Sequence, residues 1–283
     1  MHDRRGTSQL MYERLPIPAL HDHVSCVWVK HVTAESSPST HHTIPNGSAE
    51  LFCVVGSISK LIGPQTHPTE EPLAPGTTAI GVRFRPGVAA PLLGDLPSEL
   101  LDRAVDADDL WGQGASQLAE EVAETQSPEA ALACAEAALL KRVTRRAPSA
   151  DPLADAIVRR LLVSPGESIR ALASSLYISE RQLRRRCERA TGMSPKTLHR
   201  VFRFQRFLAL AHAEGDPRPN VGRLARETGY ADQSHLSREA AQLTGRTPRA
   251  VLDDCRRTHD HSLSHRLFLT GALYSARSRR AAA

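Results

Sequence analysis

Hydrophobic and polar positions follow two regimes along this chain. From Met11 to about Phe84 the apolar residues come in short runs punctuated by Gly and Pro. Val24 to Val32 is rich in β-branched and aromatic residues. Leu51 to Val55 and Ile58 to Ile62 flank Gly56-Ser57, which is hairpin chemistry. Pro45-Asn46-Gly47 marks another turn, and a strand from Thr77 to Phe84 follows Pro75-Gly76. The Ser/Thr/Pro-rich surroundings of His41-His42 read as a loop. This texture predicts a small antiparallel β-barrel or sandwich. Beyond Arg85-Pro86-Gly87, Val88 to Leu93 reads as one or two helical turns. The register then becomes helical through Leu96 to Trp111, Ala115 to Glu124 and Pro128 to Val143, with Leu118, Val122, Ala131, Cys134 and Ala138 inward. Asp151-Pro152 caps a further helix, Leu153 to Val163.

From Ile169 to Arg249 the helical pattern occurs twice. Leu183, Thr191, Gly192, Ser194 and Pro195 recur as Leu236, Thr244, Gly245, Thr247 and Pro248, each offset by 53 positions. Upstream, Leu172-Ala173 answers Leu224-Ala225 at an offset of 52. Such a fixed offset marks an internal repeat. Each copy reads as helix, tight turn, helix. In the first, Ile169, Leu172, Ala173 and Leu176 have helical spacing, Tyr177-Ile178 turn the chain, and Ser179 with Gln182 forms a capping box. Leu183, Cys187 and Ala190 make an inward stripe, leaving Arg181, Arg184, Arg185, Glu188 and Arg189 free. The second copy has Val221, Leu224 and Ala225, then Gly229-Tyr230 and the cap Asp232. There Leu236, Ala240 and Leu243 are inward and Gln233, Ser234, His235 and Arg238 free. Ser194-Pro195 opens a helix between the copies that runs to about Ala213, roughly 27 Å at about 1.5 Å per residue. That is close to the roughly 34 Å between successive major grooves on one face of B-form DNA.

Charge sharpens the division. The net +5 conceals 24 Lys/Arg against 13 Asp/Glu in residues 151–283, and 12 against 18 in residues 1–150. The basic half is the one with the repeat, as a polyanion-binding module requires. No run of about 18 apolar residues predicts a membrane span, and Met1-His2-Asp3-Arg4-Arg5 is not followed by an apolar stretch of the secretory type. Five cysteines with no C-x-x-C pair fit reduced thiols in a cytoplasm.

The repeat resembles the DNA-binding domain of the AraC/XylS family of transcription regulators, two helix-turn-helix units joined by one helix. Leu172-Ala173, Ser179 to Leu183, Gly192-x-Ser194-Pro195, Leu224-Ala225, Gly229-Tyr230, Gln233-Ser234 and Gly245-x-Thr247-Pro248 carry the likeness over roughly residues 165–252. The chain departs from the family pattern at Cys187 and Ala240, where an aromatic is usual, leaving less apolar area to bury. The resemblance implies an α+β chain with three parts. Residues 1–147 form an effector-sensing or dimerisation domain, β-rich to about 87 and helical after. Residues 148–258 form an all-α double helix-turn-helix domain, after a linker at Arg145 to Ser149, and residues 259–283 form a basic tail. The order Pro45-Asn46-Gly47, Gly81 to Gly87, Leu110-Trp111-Gly112 is similar to a poorly characterised amino-terminal domain found on some of these regulators. Recognition helices of about 179–190 and 232–243 would enter successive major grooves of double-stranded DNA. Arg181, Gln182, Arg184, Arg185, Gln233, Ser234, His235 and Arg238 would meet bases or backbone, with Arg186 and Arg189 on phosphate. RNA polymerase, a small-molecule effector and a second copy of the chain are the other implied partners. No cofactor and no membrane are implied.

Other readings have weaker support. DNA-repair alkyltransferases, sometimes fused to such modules, carry a Pro-Cys-His-Arg acceptor; here no Cys precedes a His, so no enzyme activity is expected. His21-x-His23, His41-His42 and His67, with Asp22 and Cys26, could serve a metal-responsive regulator, since His and Cys ligate zinc or copper; surface or core histidines account for them as well. Cys53, between Leu51-Phe52 and Val54-Val55, reads as a buried strand residue rather than a redox sensor. Glu50, Arg83 and Arg85 stand at strand ends, either lining an effector pocket or on a solvated face.

Overall fold

A computed structural model describes residues 9–57, 59–89, 98–145, 151–164 and 166–258. Most of the helical turns expected at Val88 to Leu93, most of the expected linker, and the tail from 259 lie outside these residues. Strands β1 (Gln9–Arg14), β2 (Val24–Val32), β3 (Ser39–Thr43), β4 (Glu50–Val54), β5 (Ser59–Ile62), β6 (Thr69–Leu73), β7 (Thr78–Phe84) and β8 (Ala104–Asp106) precede three helices: α1 (Ala107–Trp111), α2 (Gln113–Ala123) and α3 (Pro128–Arg145). Six strands form an antiparallel sheet in the order β1-β2-β7-β4-β5-β8, and β3 pairs with β6 in a separate ribbon. The sheet is open, with β1 and β8 at its edges, so its edges are not sealed as in a barrel.

Both faces of the sheet are covered, which is why β2 reads as a nearly continuous apolar run. Val27, Val29, Leu51, Cys53, Leu61, Ile80 and Val82 pack with Leu118, Val122, Leu132 and Leu139 of α2 and α3. On the other face Trp28, Phe52, Ile62 and Ala79 meet Leu73 of the ribbon. Arg14 and the backbone N–H of Ile17 both donate to buried Glu136, tying α3 to the end of β1.

Two sequence expectations are corrected. His41-His42 lies in a strand, because β3 pairs with β6 from His41↔Glu71 to His42↔Glu70, a partner some thirty residues away. Alternation then buries His41, whose ring stacks on Trp28 with centroids 4.2 Å apart, and exposes His42. Leu96 to Trp111 is not one helix. A 3-10 turn at Ser98–Leu100 leads to Asp102, held left-handed at φ 58°. The Asp102 carboxylate accepts from the N–H and hydroxyl of Thr66, and β8 then joins β5.

The basic half is helical: α4 (Pro152–Val163), α5 (Ile169–Ser175), α6 (Glu180–Thr191), α7 (Pro195–Glu214), α8 (Val221–Glu227), α9 (Gln233–Thr244) and α10 (Pro248–Thr258). The repeat is geometric as well as sequential. Helices α6 and α9 each have 12 residues, and Gly192 and Gly245 end them at φ 72° and 69°. In both, the threonine before that glycine donates its hydroxyl to a carbonyl four residues back, Cys187 at 2.8 Å and Ala240 at 2.7 Å. The same hydroxyl then accepts from the second N–H onward, Met193 or Arg246, at 3.2 Å. These bonds account for the recurring Thr-Gly. The helix-turn-helix turns close alike, Ile178 N–H to Ala173 O and Tyr230 N–H to Ala225 O.

Helix α7 is the axle of this half. Leu198, Val201, Phe202, Phe204, Phe207 and Leu208 are buried in one core with Leu172, Leu183 and Cys187 of the first unit and Leu224, Leu236 and Ala240 of the second. Ile157, Val158 and Leu161 of α4 join it. The amino-terminal half docks on the same helix. Gln205, 2% exposed, donates to Pro45 O at 2.6 Å. Gly47 sits at φ +78°, where a Cβ would come within 2.8 Å of Phe202 Cε1 and 2.9 Å of Leu198 Cδ1.

Gly47→Val therefore faces a backbone cost of about 1–2 kcal/mol and an overpacking cost of about 1–3 kcal/mol. Chemical denaturation is expected to show a midpoint lowered correspondingly; an unchanged midpoint would mean that this loop is not seated on α7.

Candidate nucleic-acid interface

The two candidate reading helices are built in the same register. Ser179 caps α6 by accepting from Gln182 N–H, and Asp232 caps α9 by accepting from His235 N–H at 2.7 Å. Their first-turn side chains fold back into the turn. The Gln182 carboxamide oxygen accepts from Ser179 N–H at 3.0 Å, completing the capping box. At the equivalent position of α9, His235 Nδ1 accepts from Ala231 N–H at 3.4 Å, while its Nε2 lies 3.5 Å from Glu239 and its ring meets Tyr230 edge-on. Gln182 thus spends its acceptor on its own helix end, and His235 is half-buried there.

The other candidates project outward. Arg181, Arg185 and Arg189 are exposed on α6 and have no ion partner among the described residues. Arg184 is exposed too, its Nε 2.7 Å from Glu188 one turn on. On α9, Gln233, Ser234 and Arg238 are exposed. The offset of 53 makes Arg185 and Arg238 equivalents, one solvent-facing guanidinium at the same turn of each helix. Tyr177, in the first turn, is 97% exposed at φ 55°, the conformation that Gly229 adopts in the second unit.

Each unit also clamps its outer helix to the helix two before it through an ion pair, with the charges reversed between copies. Arg186 of α6 meets Asp151, the cap of α4; it was read from the sequence as a phosphate contact. The equivalent residue of α9 is Glu239, which meets Arg203 of α7 at 2.5 Å and Arg200 Nε at 3.4 Å. Asp151 and Arg203 correspond at the offset of 52. Arg203 also lies over the Tyr230 ring, 4.6 Å from its centroid, and burial pushes the Tyr230 phenol up.

Lys196, Arg200 and Arg203 lie outside the sequence-based assignment, although their i, i+4, i+7 spacing puts them on one face of α7. They line a cleft of about 450 Å³ between the units, with Glu167, His235 and Glu239.

Residues 172–254 match the family model of a helix-turn-helix domain, spanning both units. The carboxy-terminal half of the chain thus carries a helix-turn-helix domain. Residues 12–106 match a domain of unknown function. Among solved structures, ToxT from Vibrio cholerae O395 is similar in chain course, with 12% identity and a TM-score of 0.45 over 88% of this chain and 98% of that chain. ToxT from Vibrio cholerae strain SCE256 with bound unsaturated fatty acid has 10% identity and a TM-score of 0.41, over 87% and 95%. Likeness at this level carries no point about function. Comparison with curated proteins yields no match. Among the described residues no helix is long and apolar enough to cross a membrane.

In the amino-terminal half, Glu50 and Arg83 come together inside the fold, not on a solvated face. Arg83 Nε donates to Glu50 at 3.0 Å, Trp28 Nε1 donates to Glu50 at 2.6 Å, and Glu13 lies 3.7 Å from Arg83. Burial works against the Arg83 charge, but Glu50 and its neighbours outweigh it and hold the guanidinium protonated. Arg85 stands apart, donating to His21 O. The histidines are dispersed: His21 meets Pro16 O, His42 meets Glu70 and His67 meets Asp102. No group of three His, Cys, Asp or Glu residues is placed to hold a metal ion among the described residues. Burial raises the Cys26 thiol to about 12 and the Cys53 thiol to about 11, and both are poor thiolates.

Loss of Glu239 leaves Arg203 facing its buried site alone. Glu239→Ala is expected to cost about 3 kcal/mol, and Arg186→Ala, at a more open pair, less than about 1 kcal/mol, both read from denaturation midpoints. A thiol reagent is expected to modify the half-buried Cys134 and Cys255 first, and buried Cys26, Cys53 and Cys187 only on unfolding. Rapid labelling of Cys26 or Cys53 in native protein would contradict the burial argument.

Proposed function

We propose that the chain is an AraC-type transcription regulator that reads double-stranded DNA by placing α6 and α9 in successive major grooves. The observation that carries this reading is the identical register of the two helices, each with an exposed guanidinium, Arg185 or Arg238, at the same turn. A guanidinium donates two hydrogen bonds to guanine O6 and N7, so Arg181, Arg184 and Arg185 favour guanine in the first half-site. Gln233 suits adenine. Ser234 and His235 meet base or backbone, Arg238 guanine or backbone, and Arg189 phosphate. Gln182 fixes the entry of α6 as well as facing the duplex. The unlike faces imply an asymmetric element for each monomer. Helix α7, about 30 Å long at about 1.5 Å per residue, sets a spacing compatible with the roughly 34 Å groove repeat.

In this reading residues 148–258 bind DNA and residues 1–147 are the regulatory half, sensing an effector or dimerising. Pro45 and Gly47 on α7 supply the mechanical route between them. RNA polymerase is the protein partner through which binding acts on transcription.

Arg184→Ala and Arg185→Ala are expected to lose about 1–3 kcal/mol of discrimination between a selected site and random DNA, whereas Arg189→Ala weakens both alike. Equilibrium binding to the two duplexes at one salt concentration decides this. Equal losses for all three variants would remove the base-reading assignment.

A further inference from the structure

The connecting helix α7 has two opposed working faces. Leu198, Phe202 and Gln205 grip the Pro45–Gly47 loop. Lys196, Arg200 and Arg203 each stand two positions earlier, about 200° round the helix at about 3.6 residues per turn. The cationic face therefore points away from the amino-terminal half, into the cleft of about 450 Å³ between the two helix-turn-helix units.

Charge in that cleft is not balanced. Its two carboxylates are already answered from within the chain: Glu167 by Arg160 at 2.6 Å, and Glu239 by Arg203 at 2.5 Å. Lys196 is exposed and has no ion partner among the described residues. Arg200 holds Gln242 by hydrogen bond and stands 3.4 Å from a carboxylate that Arg203 already occupies. Two cations one helical turn apart thus face an open concavity. Its edges are the start of α5 and the turn before α9, represented by Ile169 and Gly229.

We propose that this cleft seats the DNA backbone between the two half-sites, with Lys196 and Arg200 contacting successive phosphodiesters where the minor groove faces the protein. This rests on the reading of α6 and α9 above and extends it. A duplex engaged by both helices must pass its sugar–phosphate strands across the gap they flank, and an excess of cations over carboxylates there holds it without reading sequence. Lys196 supplies a mobile point charge. Arg200, oriented by Gln242, supplies a fixed one.

The test is the salt dependence of binding to a random-sequence duplex of about three helical turns, followed by fluorescence anisotropy. Each phosphate contact adds about 0.9 to the slope of log K against log salt. Lys196→Ala and Arg200→Ala should each lower the slope by about that amount, Lys196→Arg should retain it, and Lys141→Ala, in the amino-terminal half, should leave it unchanged. Lys196 has no ion pair or side-chain hydrogen bond among the described residues, so its variants remain informative if Arg200→Ala fails to fold. On a duplex selected by the wild-type protein, uncharged methylphosphonates midway between the half-sites should weaken the wild type and not the double variant. A wild-type slope in Lys196→Ala and in folded Arg200→Ala would overturn the backbone seat and leave the reading of α6 and α9 standing. Absence of salt-dependent DNA binding by the wild type would overturn both.

Discussion

Burial of α7 on most of its circumference is the constraint on which the rest of this structure depends. Phe202, Phe204 and Phe207 are each at most 1% exposed, and burying three such side chains contributes on the order of 6 kcal/mol. These rings lie on a helix common to both units, so neither unit closes a core without it. This also accommodates Cys187 and Ala240, small residues that are themselves fully buried: the aromatic bulk is supplied by the central helix rather than by the helices facing solvent. A rod held so tightly fixes the separation of α6 and α9 as a by-product of packing.

Two similar units on one rod invite mispairing, and the charge-reversed clamps oppose it. Asp151 with Arg186 and Arg203 with Glu239 are each complementary. Exchanging partners would set Asp151 against Glu239 and Arg203 against Arg186. Repulsion across packed helices costs more than the exposed pair gains, since little water screens it. The pairs thus act on register more than on net stability.

The amino-terminal half meets a different demand. Its sheet is sandwiched between helices and the β3–β6 ribbon, and the buried charges of Arg83, Glu50 and Glu13 persist because they neutralise one another, with the Trp28 indole N–H satisfying Glu50. The half reaches the DNA-binding half through Pro45, Gly47 and α7. A displacement of that loop therefore acts on the element that spaces α6 and α9. On the opposite side of the same helix lies the cationic cleft, so the contact with the amino-terminal half and the cleft occupy different faces.

Local chemistry was sufficient for the double unit. Caps at Ser179, Asp151, Ser194 and Asp232, left-handed glycines at 192 and 245, and inward stripes at i, i+4, i+7 act within a few residues, so the sequence alone determined helix bounds to within a residue or so, the repeat and the inward stripes of α6 and α9. It also determined β2, β4, β5 and β7, whose apolar runs are flanked by turn residues. Other features depend on distant partners and were settled only in three dimensions. His41 lies in a strand because β6 pairs with it, and Leu96 to Trp111 is broken because Asp102 binds Thr66. Glu50 and Arg83 are internal because a ribbon covers that face of the sheet. Arg186 and His235 look like free polar residues on helix surfaces, yet Asp151, Tyr230 and Glu239 engage them. Hydrogen bonds of caps and turns are encoded by neighbours in the chain, whereas burial and ion pairing depend on which surfaces meet.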